Sequence, residues 1–413
     1  MAPLKGELGA KRSEGLSPKG PTNCERCSPL TSPFSYLFIK KGVFPLDCNA
    51  LKCYDGTTEF ERGNHPLLYL ERGLSNMKKK LLAALLAGVM AVGLTACGGN
   101  TSTDTSTSDG EANGDSAAGS YTVGVCQLVQ HAALDAATQG FQDKLTELIE
   151  ADGGTVTFDV KNASGESANC ASIINGFVSS GVDLILANAT ASLQAAQAGT
   201  TDIPILGTAV TDYGTALGID DWTGTTGTNI SGTADLAPLD QQAAMLNELF
   251  PDAKTVGLLY CSAEPNSKYQ IDTIKPMLEE MGYTCEEFAF ADSNDVASVT
   301  TSACAASDVI YIPTDNTAAS CTEAIRNVVV PAKTPVVAGE QGICSGCGVA
   351  TLSIDYHQLG EVTGEMAYDI LVKGADPATM EIKYAPDTTK MYNADICQEL
   401  GITPPDGYTA IEA

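Results

Sequence analysis

Polar residues with useful chemistry recur at one kind of place in this 413-residue chain, just after a short apolar run. Gln127 and His131 follow residues 122–126. Asn188 and Thr190 follow 182–187. Thr208, Thr211 and Asp212 follow 203–207. Further on, Asn266 follows 255–260, Asp315 and Asn316 follow 308–312, and Glu340 follows 335–338. Asp355 and Tyr356 follow 350–354. Hydroxyls and backbone N–H groups can hold a carboxylate, while Asp212, Asp315, Glu340 or Asp355 can hold an ammonium. Each such charge-assisted hydrogen bond contributes about 1.5–3 kcal/mol. A small zwitterion fits both halves, and Tyr213, Tyr269, Tyr311 and Tyr356 stand close enough in sequence to flank an apolar or aromatic side chain. Taken singly, any of these polar residues could instead be a helix cap or a turn former.

Catalytic chemistry is poorly served. No GxGxxG follows either TVG run at 122–124 or 255–257, and neither a P-loop nor a GxSxG elbow occurs. Beyond residue 96 the histidines are His131 and His357, far apart in sequence. A helix-entry histidine lining a cleft is the better reading of His131 than a general base. Cys24-x-x-Cys27 has the spacing of zinc ligands, but Cys48 and Cys53 are too far apart to complete a ribbon. Cys344-x-x-Cys347 has no second pair or neighbouring histidine, and reads as a turn carrying two thiols or one local disulfide. The expectation is therefore no enzyme, no metal and no cofactor.

The elements needed to position the polar residues alternate as strand and helix. Apolar runs at 122–126, 155–160, 182–187 and 203–207 read as strands, and a 3-4-4-3 spacing of Leu134, Ala137, Phe141, Leu145 and Leu148 reads as a helix between the first two. The pattern then restarts. TVGLLY at 255–260 echoes TVGVC at 122–126, DVIY at 308–311 echoes DLIL at 183–186, and TPVV at 334–337 echoes IPIL at 203–206. The strands are apolar throughout rather than alternating, so both sheet faces should be covered by helices. The fold class expected is α/β, with two doubly wound, Rossmann-like lobes. Open parallel sheets bind ligands beyond the carboxyl ends of their strands, which is where the polar residues fall.

Residues 77–97 read MKKKLLAALLAGVMAVGLTAC, a basic start, an apolar run too short to span a bilayer comfortably, and small residues before a cysteine. Leu-Thr-Ala-Cys resembles the lipobox of bacterial lipoproteins, which implies cleavage before Cys97 and lipidation of its sulfur. Residues 77–96 are then a lipoprotein signal peptide. Residues 1–76 read as a mis-assigned upstream extension without structure. Residues 97–120, rich in Gly, Ser, Thr and Asp, read as a flexible tether after the lipidated cysteine. From Cys97 onward there are 10 basic and 43 acidic residues, a net charge of −33, so nucleic acid is excluded as a partner. Nine cysteines beyond residue 120 cannot all pair internally, and most lie in apolar runs as small hydrophobes.

Several stretches together carry a more specific likeness: GVCQLVQHAALD (124–135), PILGTAVTDY (204–213), NISGTADLAP (229–238), IPTDN (312–316), GE (339–340) and LSIDY (352–356). With them, residues 121–413 resemble the solute-binding lipoproteins of ABC importers, in the family that includes tryptophan- and tyrosine-binding proteins. The resemblance implies a type I periplasmic-binding fold with three crossings between lobes, near 229–236, 346–350 and 374–386. Lobe 1 would be 121–230 plus 350–375, and lobe 2 would be 231–349 plus 376–413. It also implies a monomer on the extracytoplasmic face, anchored through Cys97. Its partners would be a small ligand, an amino acid and most naturally an aromatic one, together with an ABC permease and its ATPase. A ligand-sensing ectodomain would use the same cleft, and a Rossmann-like enzyme is the remoter alternative.

Overall fold

The computed structural model describes residues 119–404 and 406–411, and the backbone of two short strands nearer the amino terminus. Those strands, Tyr36–Ile39 and Gly42–Pro45, pair as an antiparallel hairpin. This differs from the expectation of an upstream segment without structure; two aromatic and β-branched runs separated by two residues are a hairpin signal. The segment expected to be a signal peptide, Cys97 and the expected tether up to residue 118 lie outside the described residues. Among the described residues, no helix is long and apolar enough to cross a membrane.

Residues from 119 onward build two sheets. In the first, the spatial order is Lys383–Tyr384, Ile230–Ala234, Ile205–Val210, Leu184–Asn188, Ser120–Gln127, Thr155–Asn162. In the second it is Thr409–Ala410, Thr388–Tyr392, Ala350–Ile354, Val336–Ala338, Val309–Ile312, Thr255–Cys261, Thr284–Phe290. Within each lobe the first five strands in sequence stand in the order 5-4-3-1-2, all parallel. The echo between 122–126 and 255–260 is thus an echo of the whole topology. Central strands are buried from end to end, as 184–188 and 309–312 show.

The lobe boundaries differ from those expected. Ile230–Ala234 hydrogen-bonds to the first sheet, and Ala350–Ile354 pairs parallel with Val336–Ala338 in the second. The chain therefore crosses at 235–238, at Asp355, and at 385–387, where it leaves Lys383–Tyr384 for the antiparallel edge strand Thr388–Tyr392. A fully buried apolar run carries no mark of which sheet it joins, which is why sequence misplaced the second crossing.

Two long helices of lobe 1 fix the geometry of the site. Helix Ala132–Ala151 and helix Tyr356–Leu371 lie backbone to backbone. A Cβ on Gly140 would stand 2.0 Å from the carbonyl oxygen of His357, and one on Gly360 2.1 Å from that of Ala137. Leu134, Ala137, Phe141 and Leu145 of the first helix are buried as the periodicity indicated, with Ile149 buried in place of Leu148. The two helices begin at the site: His131 precedes one and Tyr356 opens the other.

Candidate ligand-binding cleft

The carboxyl edges of the two sheets face each other. His131 Nε2, from lobe 1, lies 3.2 Å from Asn316 Oδ1, from lobe 2. A Cβ on Gly342 would lie 3.5 Å from the Cβ of Ala132 across the same seam. The Asp212 carboxylate of lobe 1 is near enough to raise the pKa of Tyr269 in lobe 2, after burial, which is the larger cause. A groove of about 420 Å³ opens beside the His131–Asn316 contact, lined by Leu128, Ser167 and Gln194 on one side and Glu264, Asn266 and Thr317 on the other.

All four of the expected cation-holding carboxylates are helix caps. Asp212 accepts from Thr215 N (2.7 Å), Asp315 from Ala318 N (2.8 Å) and Asp355 from Gln358 N (3.0 Å). Asp355 is exposed, so no desolvated cation site forms at it. Asp315 also accepts from Cys261 N at 2.7 Å and is wholly buried within lobe 2. Desolvation, then the neighbouring Glu264, raises its pKa to about 7.

Glu340, the fourth, caps the helix Gln341–Cys347. It accepts from Gly342 N and Ile343 N at 2.5 Å each, yet burial still pushes its pKa up to about 7. Part of that rise comes from Asp235 in the crossing segment. Asp235 is buried, accepts from Thr211 Oγ1 and Tyr356 Oη at 3.0 Å each, and is raised to about 6 by desolvation. None of the ion pairs among the described residues involves either acid. Two buried carboxyl groups, one from the second lobe and one from the hinge, thus sense each other's charge and have no basic partner among the described residues. The Asp235–Tyr356 bond also ties the first crossing to the second.

Opposite charge is provided for nearby. Helix Thr190–Gly199 starts at the seam with no side-chain cap, so its first N–H groups are free to take an anion. Just before it, Ala189 has φ 84°, and Ala209, one strand over, has φ 51°. Two non-glycine residues with positive φ, one just after a strand and the other near the end of the strand Ile205–Val210, are strained backbone of the kind that gathers at binding sites.

Other expected residues serve lobe 1 internally. Thr208 joins Thr233 and Thr363 in a triangle of buried hydroxyls. Gln127 donates to Asp135 (2.6 Å) and accepts from Thr138 (2.7 Å). Asn188 donates to Leu134 O and Thr138 Oγ1, both at 2.9 Å. Tyr311 and Tyr213 are core residues, donating to Gln242 Oε1 (2.6 Å) and Thr233 O (3.2 Å), and only Tyr269 and Tyr356 of the four tyrosines lie at the seam. In lobe 2, Glu264 binds Asn266, both the backbone and side-chain N of Asn316, and both N and Oγ1 of Thr317, at 2.7–3.0 Å. Sequence reading missed Glu264 and Asp235. Asp235 follows the strand Ile230–Ala234 and obeys the same strand-end rule as the others, but the family resemblance puts a crossing over that stretch.

Residues 122–410 match the family model described as ABC transporter substrate binding protein. The chain belongs to that family. A tyrosine-binding protein of Clostridioides difficile (strain R20291) is 34% identical over 323 residues, covering 78% of this chain and 92% of its own. Among solved structures, a Streptococcus pneumoniae ABC domain in complex with L-Trp is 34% identical with TM-score 0.67, covering 71% of this chain and 100% of its own. The ligand-free, open structure of CD0873 from Clostridium difficile, described as a substrate-binding protein with adhesive properties, is 36% identical with TM-score 0.56, covering 71% and 99%. This substrate-binding protein therefore superposes better on the L-Trp complex than on the open structure, although the latter is the more similar in sequence. That agrees with the contacts across its seam. The fold has the two α/β lobes, parallel sheets and hinge crossings of the type I periplasmic-binding class.

The nine cysteines among residues 121–411 are all free. Six are buried, including Cys344 and Cys347, which lie on the helix Gln341–Cys347 and not in a turn. Their burial and small size fit the role of hydrophobes.

Proposed function

We propose that this protein captures an aromatic amino acid, tyrosine or tryptophan, between its lobes and delivers it to an ABC permease. The observation that carries the amino-acid reading is the pairing of an uncapped helix start at Thr190 with the uncompensated buried acids Asp235 and Glu340. The helix start suits the ligand carboxylate, and the acids suit its ammonium. The names of the tyrosine-binding relative and of the L-Trp complex support the same ligand class. Closure is favoured because only the closed arrangement lets groups of both lobes touch the ligand. The signal-like segment 77–96 and Cys97 support an extracytoplasmic, lipid-anchored location, with the acidic segment 97–118 as a leash. Intact-mass analysis of membrane-extracted protein checks the anchor: an amino-terminal Cys97 carrying acyl chains is expected, and an unmodified Cys97 would rule it out.

Ligand class is tested by thermal unfolding across amino acids, sugars, nucleosides and short peptides. A ligand bound by the folded state alone at a hundred times its Kd adds about 2.7 kcal/mol. Tyrosine or tryptophan should raise the midpoint; a shift with sugars or nucleosides and none with any amino acid would overturn the reading.

A further inference from the structure

Four buried side-chain polar atoms among the described residues have no hydrogen-bond partner, and two of them stand at the carboxyl edge of lobe 1: His131 Nδ1 and Asn188 Oδ1. The other two are the hydroxyls of Ser307 and Thr351, which belong to lobe 2. The pair in lobe 1 clusters around one structure. His131 immediately precedes helix Ala132–Ala151, and the Asn188 amide is held against the first two turns of that helix, at Leu134 O and Thr138 Oγ1.

The hydrogen-bond network fixes what each orphan is. Asn188 uses its NH₂ on a backbone carbonyl, so the atom left over is the oxygen, an acceptor. Asn316 donates its NH₂ to Glu264 Oε2 at 2.8 Å, so its Oδ1 is an acceptor. His131 Nε2 must then be the N–H that donates to it. Burial keeps the imidazole below its usual pKa, hence neutral, and a neutral ring protonated on Nε2 has a bare Nδ1. Both orphans are acceptors, and neither has a donor within the protein.

A buried acceptor left unpaired costs about 1–3 kcal/mol. Two of them, at the carboxyl edge of lobe 1 and against the start of the same helix, with His131 itself touching the second lobe, are a standing demand for a donor. We propose that His131 Nδ1 and Asn188 Oδ1 form an acceptor subsite that reads an O–H or N–H at the far end of the ligand side chain, selecting tyrosine and tryptophan over phenylalanine. The inference rests on the amino-acid reading above and sharpens it. The strand order agrees with the placement. Asp235 follows the strand at one side of lobe 1, and His131 follows the strand three places along. At about 4.8 Å per strand, that is roughly 14 Å less the reach of the side chains. Such a span suits an aromatic amino acid and is long for alanine or serine. The ligand's phenol or indole N–H would meet the acceptors while its ammonium meets Asp235 and Glu340.

Titration calorimetry with tyrosine, tryptophan and phenylalanine tests this on the wild type and on His131→Leu and His131→Gln, each verified as folded by its thermal midpoint. Wild type should prefer tyrosine and tryptophan to phenylalanine by at least tenfold. His131→Leu should bring the tyrosine-to-phenylalanine ratio to within about twofold, and His131→Gln, which retains an acceptor, should restore part of it. The ratio matters and not the absolute affinity, because loss of the His131–Asn316 contact weakens every ligand alike. In addition, with ¹⁵N-labelled histidine the unprotonated Nδ1 signal of wild-type His131 should move on adding tyrosine and stay in place on adding phenylalanine, a readout that needs no variant. Equal wild-type affinity for all three, a ratio unchanged in His131→Leu, or an unmoved Nδ1 signal with bound tyrosine would overturn the subsite and leave amino-acid binding standing. No binding of any aromatic amino acid to folded protein would instead remove the amino-acid reading, and the subsite with it.

Discussion

Asp235 and Glu340 are carboxyl groups that the folded, ligand-free protein keeps partly protonated near neutrality, at about 6 and about 7, and Asp315 is held at about 7. Unfolded, such groups titrate near 4. A raised folded pKa means that the folded state binds the proton more strongly, so this contribution to stability is complete below about pH 4 and is lost as pH rises through 6 to 7. The thermal midpoint of ligand-free protein should fall between pH 5 and pH 8 through these groups. A cationic ligand reverses the preference by favouring the ionised carboxylates. Binding at pH 6 should therefore release protons, and affinity should rise toward pH 8. Calorimetry in buffers of different ionisation enthalpy counts the protons; Glu340→Gln should lower the count and weaken binding roughly ten- to a hundredfold. A proton count of zero at pH 6 would contradict the assignment. At this scale the sequence was only half legible. It placed polar residues at strand ends correctly, but a carboxylate that caps a helix and one that waits for a cation look alike in sequence. Asp212, Asp315, Asp355 and Glu340 are all caps, with Glu340 alone also facing the buried Asp235, which lies behind a strand that the sequence does not mark.

The helix pair 132–151 and 356–371 shows what element packing demands. Gly140 and Gly360 let two backbones approach so closely that any side chain meets a carbonyl oxygen at about 2 Å. Gly360→Ala should destabilise by about 1–3 kcal/mol or more, since backbone and not a flexible side chain must move. It should also displace Tyr356 and His131 relative to each other, and so weaken ligand binding beyond the loss of stability. Gly176→Ala on helix Ser167–Ser180, where a new Cβ meets nothing within 4 Å, is the matched control and should stabilise by about 0.5–1 kcal/mol. Thermal unfolding of both variants decides; a Gly360→Ala midpoint equal to wild type would show that the helices are not held this close. Periodicity revealed the first helix and its buried face, because an apolar stripe is a local signal. It did not reveal the partner helix, because contact between glycines 220 residues apart leaves no local trace. The strand 350–354 was found but assigned to the wrong lobe, since pairing partners of a buried strand are chosen by tertiary structure.

At the scale of the whole molecule, duplication was the most legible property. Repeated TVG, D-x-I and P-x-x runs signalled two like-built lobes, and both sheets carry the same strand order. Two lobes that face each other by their carboxyl edges make a clamp, and the His131–Asn316 contact shows residues of both sides meeting at the jaw. What sequence could not supply was the closed seam itself, which exists only once the hinge segments 235–238, 355 and 385–387 have set the lobes at their working distance. The central claim is that an amino acid is gripped there by both of its charges. The most direct test is calorimetry of wild-type protein with L-tyrosine, tyramine, which lacks the carboxylate, and 3-(4-hydroxyphenyl)propionate, which lacks the ammonium. Tyrosine should bind one to one, with both analogues at least a hundredfold weaker. Analogue binding as tight as that of tyrosine would contradict the claim.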